Sequence, residues 1–191
     1  MARLFFLLLT GLLVTTNAHA REFNFLWGPY LAVSNTTLKD PDGSVDNATS
    51  LSRAGFKFNY FLQRKTSINF DAYYHADSYE ASTENIGQEV KGFGIFAEYI
   101  YKYPLAINYK LWFGGGFGFN SLKYSDRFTY ESENYLGAKY EDEKRNDYMA
   151  RLSTTLVAGS KRSFKWTVGL NYDFPINDGV QGLFLNAGLL F

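Results

Sequence analysis

The chain has 191 residues, 19 Lys plus Arg balanced by 19 Asp plus Glu, and no cysteine. That length fits one domain with a sizeable interior. Zero net charge excludes a nucleic-acid binder driven by bulk basicity and an acidic disordered tail; the missing thiols exclude disulfides, zinc–thiolate sites and thiol nucleophiles. The 18 Phe and 15 Tyr beside 17 Gly and only 4 Pro point to β structure rather than helix.

Residues 1–20 read as an export signal. Arg3 is followed by an apolar run from Leu4 to Val14 and by Ala18-His19-Ala20, the charged, apolar and small-residue order of a secretory leader cleaved after Ala20. The 11-residue run is short of the roughly 20 residues a spanning helix needs. No cysteine follows, so no lipoprotein anchor is expected. The remainder, residues 21–191, is read as a single domain.

From there the chain alternates with period two in segments of about ten residues. The first, roughly Phe23 to Val33, is interrupted by Pro29, a residue suited to edges and bulges. Next, Ser52, Ala54, Phe56, Phe58, Tyr60 and Leu62 oppose Arg53, Gly55, Lys57 and Asn59. After the polar turn Gln63 to Thr66, Ile68, Phe70, Ala72 and Tyr74 oppose Ser67, Asn69, Asp71 and His75. The same split recurs from Phe93 to Tyr101, from Ile107 to Phe119, from Tyr148 to Ala158, from Trp166 to Tyr172, and from Leu183 to Phe191. Eight strands result.

Short links at Gln63 to Thr66, Lys102 to Leu105 and Ser160 to Ser163 alternate with longer ones at Ser34 to Ser50, Asp77 to Glu89, Ser125 to Asp147 and, more modestly, Pro175 to Gly179. Three short turns at one end and four loops at the other describe eight up-and-down strands with both termini at the short-turn end. The polar faces carry too many charges for a dry soluble core, so the apolar faces are expected to meet lipid. Even strand number, short turns and long opposite loops fit an all-β, eight-stranded antiparallel up-and-down transmembrane β-barrel of a bacterial outer membrane. Aromatics near strand ends (Trp27, Tyr60, Tyr99, Tyr101 and Trp166 at one level; Tyr74, Phe119, Tyr148 and Phe174 at the other) fit interfacial girdles.

The last residues alternate back from Phe191 through Leu189, Ala187, Leu185 and Leu183. This resembles the C-terminal strand signature that outer-membrane assembly machinery reads, and with strand count and loop order the chain is similar to the small OmpA/OmpX-type barrels. The resemblance implies an outer-membrane monomer with periplasmic termini, loops facing the cell exterior, and contact with outer-membrane lipids and lipopolysaccharide. No cofactor and no nucleic acid are expected.

An eight-stranded barrel has room inside only for side chains. Arg53, Lys57, Lys110, Arg151 and Lys165 face inward against Asp71, Asp77, Glu98 and Asp173, and isolated charges there carry a heavy desolvation cost. A lumenal charge network is therefore expected, centred on Glu98, Lys110 and Arg151, with Gly114, Gly116 and Gly118 leaving space for long side chains. These glycines lack the Lys-Ser/Thr and the helix of a phosphate loop.

Catalysis has one opening. His75 and Asp77 precede Ser78 at the outer end of the third strand, the ingredients of lipid A acyl transfer. Ser78 points away from the face that His75 and Asp77 share, so a rim histidine paired with Asp71 or Asp77, and no catalytic residue or metal site, is the expectation. The segment Ser125 to Asp147 mixes charge with aromatics, and Arg127, Phe128, Tyr130, Tyr135 and Tyr140 are its candidate recognition residues for an extracellular ligand. A structural or adhesive surface role follows, with a lipid A acyl hydrolase or acyltransferase, or a narrow ion pore, as the alternatives.

Overall fold

The computed structural model describes residues 25–39, 45–132, 135–160, 164–176 and 179–191. The export signal at 1–20 and residues 161–163 of the Ser160 to Ser163 link lie outside the described residues. Nine strands are present among them: β1 (Phe25–Lys39), β2 (Val45–Gln63), β3 (Thr66–Tyr79), β4 (Gly87–Ala106), β5 (Tyr109–Ser132), β6 (Tyr135–Lys139), β7 (Glu143–Ala158), β8 (Lys165–Pro175) and β9 (Gly179–Leu190). Eight form an antiparallel ring that closes through β1–β9, from Tyr30 opposite Gly188 to Lys39 opposite Gly179. The small strand β6 lies outside the ring and hydrogen-bonds to the end of β5. The start of β1 meets the residue that follows β9: the Phe191 N–H donates to the Trp27 carbonyl at 2.8 Å, and the Trp27 N–H returns a bond to the Phe191 carbonyl.

The alternation places apolar side chains on the outer wall. Phe56 and Leu170 are exposed there, and Leu111 is half-buried. Asp71, Arg151 and Asp173 are buried inside. The girdle residues Tyr60, Tyr99, Tyr101 and Trp166 are exposed at one level, and Tyr74 and Tyr148 at the other.

Four local expectations change. β1 does not stop at Val33, and the connections Ser34 to Ser50 and Ser125 to Asp147 are largely strand, whereas Asp77 to Glu89 keeps a non-strand stretch at 80–86; β5 alone runs 24 residues, about 79 Å at about 3.3 Å per residue. Even tilted by about 45°, such a wall stands well above an apolar band about 25 Å tall. Second, Lys102 to Leu105 is not a turn. β4 continues to Ala106, Pro104 sits at a register irregularity, and the chain reverses at Ile107-Asn108. Third, Ser52 is buried rather than outward. The register skips it between Ala32/Arg53 and Val33/Leu51, so a bulge resets which face each residue takes. Fourth, Gly116 stands between Glu98 and Arg151 in register, and a Cβ there would lie 2.0 Å from the Ala97 carbonyl oxygen. Close backbone approach, as well as room for the neighbouring side chains, requires glycine at that position.

The extended wall reverses its polarity past the upper girdle. Leu38, Val90, Leu122 and Val180 turn inward and pack with Tyr79 and Tyr124. On the same strands Asn35, Lys91, Lys123 and Gln181 face out. Water rather than lipid surrounds this part of the wall, so the hydrophobic side changes.

Candidate functional site: a sealed lumen and a clamped hairpin

The middle of the bore is held by two arginines on opposite sides of the ring. Arg151 faces Asp173 directly across the β7–β8 ladder. Its Nε donates to Asp173 Oδ1 at 2.6 Å and its Nη2 to Asp173 Oδ2 at 2.8 Å. Nη1 reaches across the lumen to Asp71 Oδ2 on β3 at 2.5 Å. Arg53 of β2 spans the other way and pairs with Asp173. Both guanidinium groups lie over aromatic rings, Arg151 at 3.7 Å from the Phe96 centroid and Arg53 at 3.4 Å from that of Phe184. A bidentate Arg–carboxylate pair fixes geometry as well as charge, and rings above and below exclude water from it.

Lys57 is buried toward the short-turn end. It lies opposite Asp71 in register, yet its Nζ donates to Asn186 Oδ1 at 2.8 Å. Glu98 accepts from Asn69 Nδ2 at 2.5 Å. Lys57, Asn69 and Glu98 line a small polar cavity with Asn59 and Trp112; buried Asn59 Oδ1, Asn69 Oδ1, Glu98 Oε1 and Trp112 Nε1 have no protein partner there. Roomy polar sites with several such groups hold ordered water. Ile100, Trp112, Val157 and Leu190 close the bore below, and Lys102 Nζ lies 3.6 Å from the Phe61 ring centroid.

Lys110 and Lys165 do not join the network. Lys110 is exposed opposite Pro104 and Val157 at the short-turn mouth, and Lys165 is half-buried opposite Leu190. Glu98 pairs with Gly116, six residues along β5 from Lys110. That is about 20 Å of strand, beyond any ion pair. The expected centre of Glu98, Lys110 and Arg151 is therefore replaced by Arg53, Asp71, Arg151 and Asp173.

His75 is not at a rim, because the wall continues past it; it is buried at 1% exposure. Its Nδ1 accepts from Arg53 Nε at 3.4 Å, and its Nε2 lies 3.4 Å from Asp77 Oδ2. Asp77 accepts a 2.8 Å bond from Thr36 and another from Ser50. Ser78 is exposed on the outer face, so the wall separates it from His75. Thr36 and Ser50 are partners that sequence reasoning missed, because both lay in a segment read as loop.

At the long-loop end, Arg127 clamps the base of the β5–β6 hairpin. It donates to Gln88 Oε1 at 3.2 Å, to the Glu141 carbonyl at 3.3 Å and to Glu143 Oε2 at 3.1 Å. Arg145 grips the same Glu143 carboxylate through bonds of 2.8 and 2.9 Å. Arg145 first, with Arg127 adding to it, holds the Glu143 carboxyl below its ordinary value. Asp126, at φ 53°, lies between the ladder that β5 makes with β7, which ends at Tyr124 opposite Glu143, and the one it makes with β6, which begins at Phe128 opposite Lys139. Of the five recognition candidates, Arg127 is thus engaged in the clamp, and Phe128 and Tyr130 pack edge to face at 5.6 Å. Tyr135 and Tyr140 remain exposed, and Leu136 joins them at 63% exposure. Among the described residues no group of three or more His, Asp or Glu side chains gathers to hold a metal ion.

The ring, its tall strands and its inside-out polarity define a small eight-stranded barrel of the outer-membrane type. Solved structures agree. Neisserial surface protein A is similar over 87% of this chain and 96% of its own, with 13% identity and a TM-score of 0.61. The attachment invasion locus protein Ail of Yersinia pestis matches over 88% and 100% with 15% identity and a TM-score of 0.51. The N-terminal β-barrel domain of Pseudomonas aeruginosa OprF matches over 88% and 98% with 11% identity and a TM-score of 0.52. No protein-family model and no curated protein matches the sequence.

Proposed function

We propose that the protein is a non-enzymatic outer-membrane barrel that acts as a rigid surface scaffold, with its long-loop end outside the cell and its termini in the periplasm. In this reading it presents the β5–β6 hairpin for surface recognition or adhesion. The observation that carries the reading is the Arg127–Glu143–Arg145 clamp beneath a hairpin whose Tyr135 and Leu136 are exposed. Exposed aromatics on a preorganised support suit binding, because little ordering entropy is lost on contact. Ail, named for attachment and invasion, has the same fold; that likeness bears on the fold alone. The test is adherence to epithelial monolayers by a non-adherent Gram-negative strain expressing the protein. Tyr135→Ser with Leu136→Ser is expected to abolish adherence at unchanged surface level. Adherence at the wild-type level would refute the reading.

The two other readings meet specific obstacles. Acyl transfer needs a hydroxyl activated by an accessible base, and His75 is sealed in the bore with Ser78 on the far side of the wall. His75→Ala is expected to leave the lipid A acylation pattern unchanged by mass spectrometry. A pore needs a continuous aqueous path, which two apolar clusters and the arginine pairs block. Planar-bilayer recordings are expected to show no steady conductance.

A further inference from the structure

Cross-strand register brings three lysines side by side on the outer wall. Lys91 of β4 is opposite Lys123 of β5, and Lys123 is opposite Lys144 of β7. All three are exposed. Neighbouring strands are about 4.8 Å apart, so the ammonium groups can converge on one small anion. Like charges directly opposite one another are destabilising, and a row of three on adjacent strands calls for a counter-charge.

Two carboxylates supply part of it, both from the side away from the apolar band. Glu89, two residues earlier in β4, pairs with Lys91, and Asp142, just before β7, pairs with Lys123 at 2.6 Å. Lys91 and Lys123 nonetheless keep about half of their side-chain surface exposed, at 48% and 53%. Beneath the row, Phe93 is the next outward residue on β4 at 68% exposure, and Tyr148 is exposed on β7 at 62%. On β4 the outer wall therefore reads aromatic, cationic and acidic in turn, while on β5 and β7 Ser121 and Asn146 stand between the lysines and the aromatics Phe119 and Tyr148. An anionic lipid reads acyl chain, then phosphate, in the same direction. A soluble anion would have no use for the aromatic lower half.

We propose that Lys91, Lys123 and Lys144 form a docking row for a lipid A phosphate, with Phe93 and Tyr148 against the acyl chains of the same molecule. Ammonium groups suit this task as compact charges that bind phosphate without demanding one orientation. The placement rests on the proposed outward direction of the long loops, since lipid A occupies only the outer leaflet.

The test compares the wild type with K91Q/K123Q/K144Q, each folded into phosphatidylcholine bilayers containing bisphosphorylated lipid A, its dephosphorylated form, or phosphatidylglycerol. Thermal unfolding is read by the gel shift of the folded barrel, and bound lipid by mass spectrometry after extraction. In pure phosphatidylcholine the two proteins should unfold at closely similar temperatures, because the exposed ion pairs and the exposed like-charge repulsion that the substitutions remove are each small and opposite in sign. Bisphosphorylated lipid A should stabilise the wild type, and the triple variant should need at least about tenfold more of it for half the effect. The dephosphorylated form should not separate the two proteins. Equal response of wild type and variant to lipid A would overturn the proposal, and so would an equal response of the wild type to phosphatidylglycerol. K123Q alone, at the centre of the row, should fall between. Protease access to the β5–β6 hairpin on intact cells reports the outward direction separately, so failure of the orientation and failure of the row are distinguishable.

Discussion

Replacing Arg151 by Gln tests whether the lumen is held by the charge network. The guanidinium serves two buried carboxylates, Asp173 through two bonds and Asp71 through one. After its removal Asp173 keeps Arg53, whereas Asp71 loses the only ion pair it makes among the described residues. One stranded buried charge costs about 3–5 kcal/mol. With a urea slope of about 2 kcal/mol/M, the unfolding midpoint in phosphatidylcholine vesicles should fall by about 1.5–2.5 M. The 3 Trp residues provide the fluorescence signal. Adding Asp71→Asn to the variant removes the stranded charge, so the double variant should be more stable than the sum of the single losses implies, with a coupling of about 0.5–3 kcal/mol. A loss below about 1 kcal/mol for Arg151→Gln, or strict additivity of the two substitutions, would refute the account.

Other consequences concern the wall and the hairpin. Ala97 faces lipid between Phe70 and Phe117 in register, so Ala97→Arg should cost about 2–4 kcal/mol in vesicle unfolding; a neutral effect would place that face in water. Leu122 is completely buried in the upper apolar cluster, and Leu122→Ala should lower stability by about 2–5 kcal/mol while leaving membrane insertion intact. Glu143 has its folded value depressed below the ordinary 4.5. Its contribution to holding the hairpin is thus complete above about pH 4.5 and lost as pH falls through the lower folded value. Hydrogen exchange in 128–140 should rise selectively below that pH, and Glu143→Gln should show the raised exchange at neutral pH.

The eight strands of the ring, their topology and the greasy outer wall are legible because the period-two pattern is unbroken where lipid meets the barrel, as in Ile68 to Tyr74 and Trp166 to Tyr172, whereas the ninth strand β6 lies in a segment read as loop. Parity alone assigns the inner face, and Arg53, Lys57, Asp71, Glu98, Arg151 and Asp173 are buried on it. Partners were harder. Parity gives the side of the wall but not the height, and Lys110 shares a face with Arg151 while standing at the mouth. Contacts across the bore, such as Arg151 with Asp71 or Arg53 with Asp173, depend on ring closure and stagger, which no local pattern encodes. Ser52 failed for a different reason, since a bulge shifts parity by one without any Gly or Pro to announce it.

The longest error has the most informative cause. Reading Ser34 to Ser50 and Ser125 to Asp147 as loops assumes that a strand of this barrel keeps its apolar residues outward. Past the upper girdle the solvent changes, and the favourable arrangement changes with it: Lys123 turns out and Leu122 in, one residue apart on a strand that never ends at the boundary. The alternation itself continues through Leu38, Val90 and Val180 with its sense reversed. The point of reversal on each strand therefore marks the membrane surface from within the sequence. On β4 it falls between Phe93 and Lys91, and on β7 between Tyr148 and Lys144. The lysine row lies on the water side of that boundary, one or two outward residues beyond the last aromatic, which is the depth a headgroup phosphate occupies. The inverted upper cluster and the cationic row thus have a common origin in the change from lipid to water along one continuous sheet.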